Sequence, residues 1–225
     1  MKNNLLIFLL FVIVLIGCVY QESSIKNSPQ AKQELQQLLQ KSSNIDTFDI
    51  AYKFQMNLFE QSVTDITFRQ AKQNQNQRQE AAGNMLGFNL NATSIIKDGQ
   101  QVTCAIFDNE WKCSYGDKVC TEKDKVKLCH SVSHEGIPPK IKPELLEKAE
   151  VAYAGKKQLI GVDVKCYILI GTENGRKVSI EICLDDNGLI FSMSTKAKGF
   201  QAIIEAKSFS TNIEPDIFTL PAIIS

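Results

Sequence analysis

From residue 48 onward, apolar and polar positions alternate with the period of two that a half-buried β-strand requires. Ile50, Tyr52, Phe54, Met56 and Leu58 alternate with Ala51, Lys53, Gln55 and Asn57, and Ile66 and Phe68 alternate with Thr67 and Arg69. The same grammar predicts strands over residues 92–96 and 101–107, joined by a Lys97-Asp98-Gly99 turn. It resumes over 158–170, 177–184, 189–194 and 201–209, with turns at Asp185-Asp186-Asn187-Gly188 and Lys198-Gly199. Two stretches break the pattern. The Gln/Asn-rich residues 70–80 read as a polar hairpin connection, and residues 116–139, stiffened by Pro138-Pro139, read as a loop.

Helical spacing appears twice. Ser28-Pro29 is a helix-start signal, and Leu35, Leu38 and Leu39 fall at i, i+3 and i+4, predicting a helix over 30–42 with one narrow apolar face. Residues 143–149 predict a short second helix with Leu145 and Leu146 inward. The chain closes over 212–222, where Pro215 precedes Ile217, Phe218 and Leu220. One helix followed by closely spaced antiparallel strands, interrupted once, is an α+β arrangement with a large curved antiparallel β-sheet. No second core is evident, because strands on both sides of the insertion are needed for one sheet.

The start of the chain carries a different signal. A short cationic opening, Met1-Lys2-Asn3-Asn4, precedes an unbroken apolar run to Ile16, then Gly17-Cys18. That is the form of an export signal. Residues 5–20 fall short of the roughly 20 that comfortably span a bilayer. Leu15-Ile16-Gly17-Cys18 resembles the lipobox of prokaryotic lipoproteins, in which the cysteine is lipidated and becomes the new N-terminus. The expected organisation is a signal peptide at 1–17, a lipidated Cys18 with a polar tether over 18–29, and a domain over 30–225. An uncleaved signal anchor and full secretion are the rival readings. All three place the domain outside the cytoplasm; the first two keep it on the extracytoplasmic face of a membrane, with the membrane as partner through the N-terminal anchor.

Six cysteines remain once Cys18 carries lipid: Cys104, Cys113, Cys120, Cys129, Cys166 and Cys183. An even number outside the cytoplasm suggests disulfides. A two-residue turn at Asn174-Gly175, a strong hairpin signal, places Cys166 directly opposite Cys183 in a non-hydrogen-bonded pair and Glu173 opposite Arg176. In such a pair the Cα atoms lie about 4.5 Å apart, within disulfide range. A turn at Asp108-Asn109 does the same for Cys104 and Cys113. Cys120 and Cys129 are left to close the following loop. Cys120, Cys129, His130 and His134 could instead hold a metal, but their spacing fits no compact zinc pattern, so no metal is expected.

Charge and composition narrow the function. The 225 residues carry 25 Lys+Arg and 25 Asp+Glu, a balance that excludes a nucleic-acid coat or an acidic solvating tail. No Ser/His/Asp arrangement, Gly-rich phosphate loop or paired-carboxylate motif is legible, so neither catalysis nor a cofactor is expected. The Asp185-Asp186-Asn187-Gly188 run lacks the following Glu of a calcium loop and reads as a turn. Asn91-Ala92-Thr93 is one glycosylation sequon. Trp111 and the phenylalanines read as core or as pocket lining.

The order of elements resembles the LolA/LolB/LppX-like family of lipoprotein carriers and lipid-binding lipoproteins. The residues that carry the likeness are Leu35 to Leu39 leading into Ile45-Asp46-Thr47-Phe48, then Ile96-Lys97-Asp98-Gly99-Gln100-Gln101 with Trp111. Gly161, Cys166-Tyr167-Ile168-Leu169 and Ile180 to Leu189 follow, and Ile213 to Pro221 close the pattern. The likeness implies a half-barrel closed by an N-terminal helix and a short inserted helix around an apolar cavity for acyl chains. The family's basic residue followed by proline in an early strand has no match: neither Arg69 nor Arg78 precedes Pro. The reading is a membrane-anchored, non-enzymatic lipoprotein that binds a lipid or other apolar ligand. The alternative is a surface protein-interaction or sensing module with a packed, ligand-free sheet. The sequence does not name the ligand-lining residues.

Overall fold

A computed structural model describes residues 28–59, 61–85, 88–107, 109–123, 126–131, 141, 143–173 and 175–221. Helix α1 spans Pro29–Ser42 and helix α2 spans Pro143–Lys148. The first run of strands is β1 (Thr47–Leu58), β2 (Gln61–Gln73), β3 (Asn76–Met85), β4 (Phe88–Lys97), β5 (Gln100–Phe107) and β6 (Glu110–Tyr115). A short ribbon follows, β7 (Lys118–Lys123) with β8 (Val126–Ser131). After α2 come β9 (Glu150–Leu159), β10 (Val162–Glu173), β11 (Arg176–Leu184), β12 (Ile190–Ala197) and β13 (Phe200–Ser210). A 3-10 turn at Pro215–Phe218 ends the described chain.

Eleven strands form one antiparallel sheet in the order β6-β5-β4-β3-β2-β1-β13-β12-β11-β10-β9. Two meanders are thus joined by the pairing of β1 with β13. The edges β6 and β9 are not paired to each other, so the sheet is a curved half-barrel and not a closed barrel. Among the described residues no helix is long and apolar enough to cross a membrane.

Helix α1 begins where the sequence signals it. Ser28 Oγ accepts a hydrogen bond from the Ala31 amide at 3.2 Å, and Pro29 occupies the first turn, where its missing N–H costs nothing. Ala31, Leu35 and Leu38 pack on Val151, Tyr167, Leu169, Ile180, Ile182, Leu184 and Ile190. Leu146 and Ala149, at α2, join the same cluster, with Leu145 partly buried beside it. The two helices therefore cover one face of β9 to β12, and we call this the inner face.

Three expectations need correction. Residues 70–80 are not a connection: β2 runs on to Gln73, β3 starts at Asn76, and only Asn74 and Gln75 turn. Flanking strands satisfy both backbones there, so amide side chains poor in β-propensity are held extended. Residues 116–131 are not a loop but contain the β7–β8 ribbon, whose Val119 is buried against Ala92, Ala105 and Phe107. The predicted strand over 158–170 is two strands, with β9 ending at Leu159 and a turn at Ile160-Gly161. The lysine-rich end of β9 and its Gly155 masked the alternation. Elsewhere the predicted strands and turns lie within two to four residues of the observed ones. The signal, Cys18, the tether, Asp108, Asn174, His134 and Pro138-Pro139 lie outside the described residues.

The C-terminal segment covers the outer face of the first meander. Ile213, Ile217 and Phe218 pack on Ala71 and Ile95. Arg78 ties it down: its guanidinium donates to the carbonyls of Ile217 at 2.6 Å and Thr219 at 3.0 Å, and also pairs with Glu80. The side chain is 16% exposed, so removing it leaves carbonyl acceptors with reduced access to water. Arg78→Ala is expected to cost about 1–3 kcal/mol and to raise hydrogen exchange selectively over 213–219. Unchanged exchange there would show that the apolar contacts suffice.

Candidate ligand-binding face

Register defines what the inner face presents. Directly paired residues in neighbouring strands project to the same side. One row crosses nine strands: Tyr153, Tyr167, Ile182, Met193, Ile204, Phe54, Ile66, Gly83 and Leu90. The helices and ribbon pack on this side.

Two residues further along the strands, the row in the first meander is Tyr52, Phe68, Ala81, Ala92, Ala105 and Lys112. Gly83, Ala81, Ala92 and Ala105 thus form a strip of small side chains, bordered by Phe54, Phe68, Ile66 and Phe107. Small residues keep the floor of the half-barrel low, and Val119 of the ribbon lies over Ala92 and Ala105, which are 2% and 0% exposed. Gly83 has no alternative. Its φ is +143°, and a Cβ would stand 2.2 Å from the Asp65 carbonyl oxygen.

A third row is polar: Gln70, Gln79, Ser94, Thr103 and Ser114, paired with Ile50 at one end. Gln79, Ser94 and Thr103 are fully buried. The start of the ribbon satisfies part of this row. Thr103 Oγ1 donates to the Gly116 carbonyl at 2.7 Å, and the Ser114 hydroxyl bonds the Lys118 carbonyl. Gln70 Oε1 and Thr64 Oγ1 are buried without a hydrogen-bond partner among the described residues. The inner face of the first meander is therefore apolar toward the ends of β1 and β4 that carry Leu58 and Phe88, and polar toward the opposite end. Under α1, by contrast, the second meander stays apolar there through Leu184 and Ile190.

Ionisable groups under α1 are structural. Lys165 reaches Glu34 of α1 and Asp186 of the β11–β12 turn, each at 3.1 Å, which raises its pKa. The Tyr167 phenol is pushed well above its ordinary range, first by burial and then by Glu34. Burial does the same to Tyr52, with Asp185 adding to it, and the Tyr52 hydroxyl donates to the Ile190 carbonyl at 2.8 Å. None of these groups is poised to exchange protons near neutral pH.

The residues singled out in the sequence fall elsewhere. Cys104 is bonded to Cys113 and Cys166 to Cys183. Cys120 is disulfide-bonded and lies opposite Cys129 in the ribbon register. Cys166, Glu181 and Cys183 sit close enough to suggest metal ligands, but both sulfurs are engaged in a disulfide and offer no thiolate. Asp185 makes a turn: its Oδ1 accepts from the amides of Asn187 at 3.0 Å and Leu189 at 2.8 Å. Arg69 pairs with Asp49 on the outer face, at 3.0 and 2.8 Å. Asn91 is exposed. Trp111 is not core: it is 36% exposed at the start of β6. The small-residue strip escaped sequence reading because alanine and glycine carry almost no hydrophobic periodicity.

No protein-family model and no curated protein matches this chain. Solved structures do. One of MucB superposes with a TM-score of 0.53 at 13% identity, covering 87% of this chain and 64% of that one. LprF from Mycobacterium bovis superposes with a TM-score of 0.51 at 10% identity, covering 87% of this chain and 99% of that one. The chain thus spans less than two thirds of the MucB chain but nearly all of LprF. At these identities the likeness is one of fold: a curved antiparallel sheet with helices on one face, as in MucB and LprF.

Proposed function

We propose that this chain is a membrane-anchored extracytoplasmic lipoprotein whose half-barrel holds a lipid or another apolar ligand and catalyses nothing. The observation that carries the reading is the strip of Gly83, Ala81, Ala92 and Ala105 on the inner face, between aromatic and branched side chains. Each methylene buried there contributes about 0.8 kcal/mol, so an acyl chain of ordinary length suits such a floor. The buried acceptor Gln70 Oε1 suits a ligand that brings a donor as well. The anchor is Cys18, with residues 1–17 removed and 18–29 as tether. Cys120 and Cys129 complete a third disulfide.

The test is native mass spectrometry with organic extraction of a Cys18→Ser chain exported to an oxidising compartment, so that any lipid found is bound and not attached. A co-purifying acyl species lost on denaturation is the expected result. Ala92→Phe fills the strip and is expected to reduce that species at least about fivefold while costing about 1–3 kcal/mol of stability. A bare mass from the Cys18→Ser chain would shift the reading to a protein-interaction module with a packed sheet.

A further inference from the structure

We infer that the end of the half-barrel carrying the β1–β2 and β12–β13 turns is a bilayer-docking rim for anionic lipid. The inference rests on the anchored reading of Cys18.

Phe59, in the β1–β2 turn, is 83% exposed, which is unusual for a phenylalanine. It is held there. Its φ is +49°, its amide donates to the Gly199 carbonyl at 3.0 Å, and its ring lies over Gly199. Gly199 has φ +72° and no room for a Cβ, which would come within 2.8 Å of the Phe59 ring. The two turns thus fix an aromatic ring pointing out of the molecule. Leu58, Phe200, Val178 and Ala197 surround it in a shallow open depression, with Arg176 and Lys198 on its border. Lys177 and Lys196 are exposed close by. Of the acidic groups at this end, Glu60 follows Phe59 in the sequence, Glu173 stands opposite Arg176 in the β10–β11 pairing and Asp65 of β2 pairs with Lys53. Glu110 on β6 and Glu150 on β9 stand toward the two edges of the sheet. An exposed ring among cations is the chemistry of an interface with anionic headgroups.

The tether ends at the same place. The Ser28 amide donates to the Val151 carbonyl at 2.8 Å. Val151 stands in one register row with Leu169, Ile180, Thr195, Ala202 and Met56, so the start of α1 is three residues along β1 from Phe59. Five inter-strand steps separate β9 from β1, roughly 24 Å along the sheet. The ten residues from Cys18 to Ser28 reach at most about 35 Å. The tether from a lipid on Cys18 is therefore long enough for this rim, and the apolar end of the inner face behind it, to meet the bilayer. The opposite end carries exposed Asp46, Asp98, Asp163 and Asp186.

The test uses the full chain, reconstituted through its own anchor into vesicles of phosphatidylcholine and phosphatidylglycerol at roughly 3:1. In a Trp111→Phe background, Phe59→Trp places one indole on the rim and Ile160→Trp one at the far end. Brominated acyl chains are expected to quench the rim indole at least about twofold and aqueous iodide to spare it, with the far-end indole showing the reverse. Adding Arg176→Glu with Lys198→Glu is expected to abolish most of the bromolipid quenching. Hydrogen exchange of the unmodified chain gives a second readout, with protection of the amides at 58, 59 and 199–201 on vesicles. Equal iodide quenching of both indoles, or no protection, overturns the proposal. The mass of the mature N-terminus separates the two failures: a lipidated Cys18 with an iodide-quenched rim refutes docking alone, whereas an unmodified Cys18 refutes the anchor and docking together.

Discussion

Gly188→Ala is expected to lower the stability of the fold by about 3–4 kcal/mol, whereas Gly175→Ala lowers it by about 1 kcal/mol. Both glycines sit in hairpin turns at positive φ, +85° and +75°. The backbone penalty for a side chain there is therefore similar, about 1–2 kcal/mol. What differs is the space. A Cβ on Gly175 meets nothing within 4 Å. A Cβ on Gly188 would lie 1.8 Å from the Leu38 carbonyl oxygen, 2.7 Å from its carbon and 3.1 Å from the Ser42 amide. All three belong to the backbone of α1, which cannot rotate aside. The helix must lift, and with it Leu35 and Leu38, both almost fully buried.

The turn cannot yield instead. Asp185 is itself buried, and its carboxylate and main chain hold Asn187, Gly188 and Leu189 through four hydrogen bonds of 2.8 to 3.0 Å. The Lys41 ammonium bonds the Asp186 carbonyl from the helix side. Urea unfolding midpoints of the two variants and the parent measure the difference. Equal midpoints would mean that α1 is free to slide, and that the inner face is not closed rigidly at this end.

Much of this was legible in the chain, for reasons that can be traced to particular residues. The dipeptide Asn174-Gly175 is a hairpin signal that leaves one register, so the sequence sets Cys166 against Cys183, as the sheet does. Ser28-Pro29 and Leu35, Leu38 and Leu39 fix α1 because capping and a 3.6-residue stripe are local signals. The order of turns and strands carried the half-barrel. What stayed illegible is tertiary. Gln79, Ser94 and Thr103 are fully buried polar residues, and a polar residue reads as solvated until its neighbours are known. Residues 70–80 looked like a loop for that reason. Val119 gains its burial from Ala92 and Phe107, which lie far away in sequence, so the ribbon could not be seen. The small-residue strip is visible only when register lays Gly83, Ala81, Ala92 and Ala105 side by side.

Replacing Cys166 and Cys183 together with Ala is expected to cost about 3 kcal/mol, and replacing Cys104 with Cys113 about 0.5 kcal/mol less. The difference follows from the loops they close, with sequence separations of 17 and 9, because the entropy of the unfolded chain falls with the logarithm of loop length. Location should separate them further. Cys166 and Cys183 join β10 to β11 inside the second meander and belong to one buried cluster with Val164, Leu189 and Phe191, so their loss lowers the global unfolding midpoint. Cys104–Cys113 joins β5 to the edge strand β6, both sulfurs fully buried beside Val102, so its loss also frays an edge. Hydrogen exchange should then rise first over 110–123, including the strand that seats Val119 on the inner face. Urea titration and exchange of the two double variants check both statements; equal exchange over 110–123 would show that the edge is held by its backbone ladder alone.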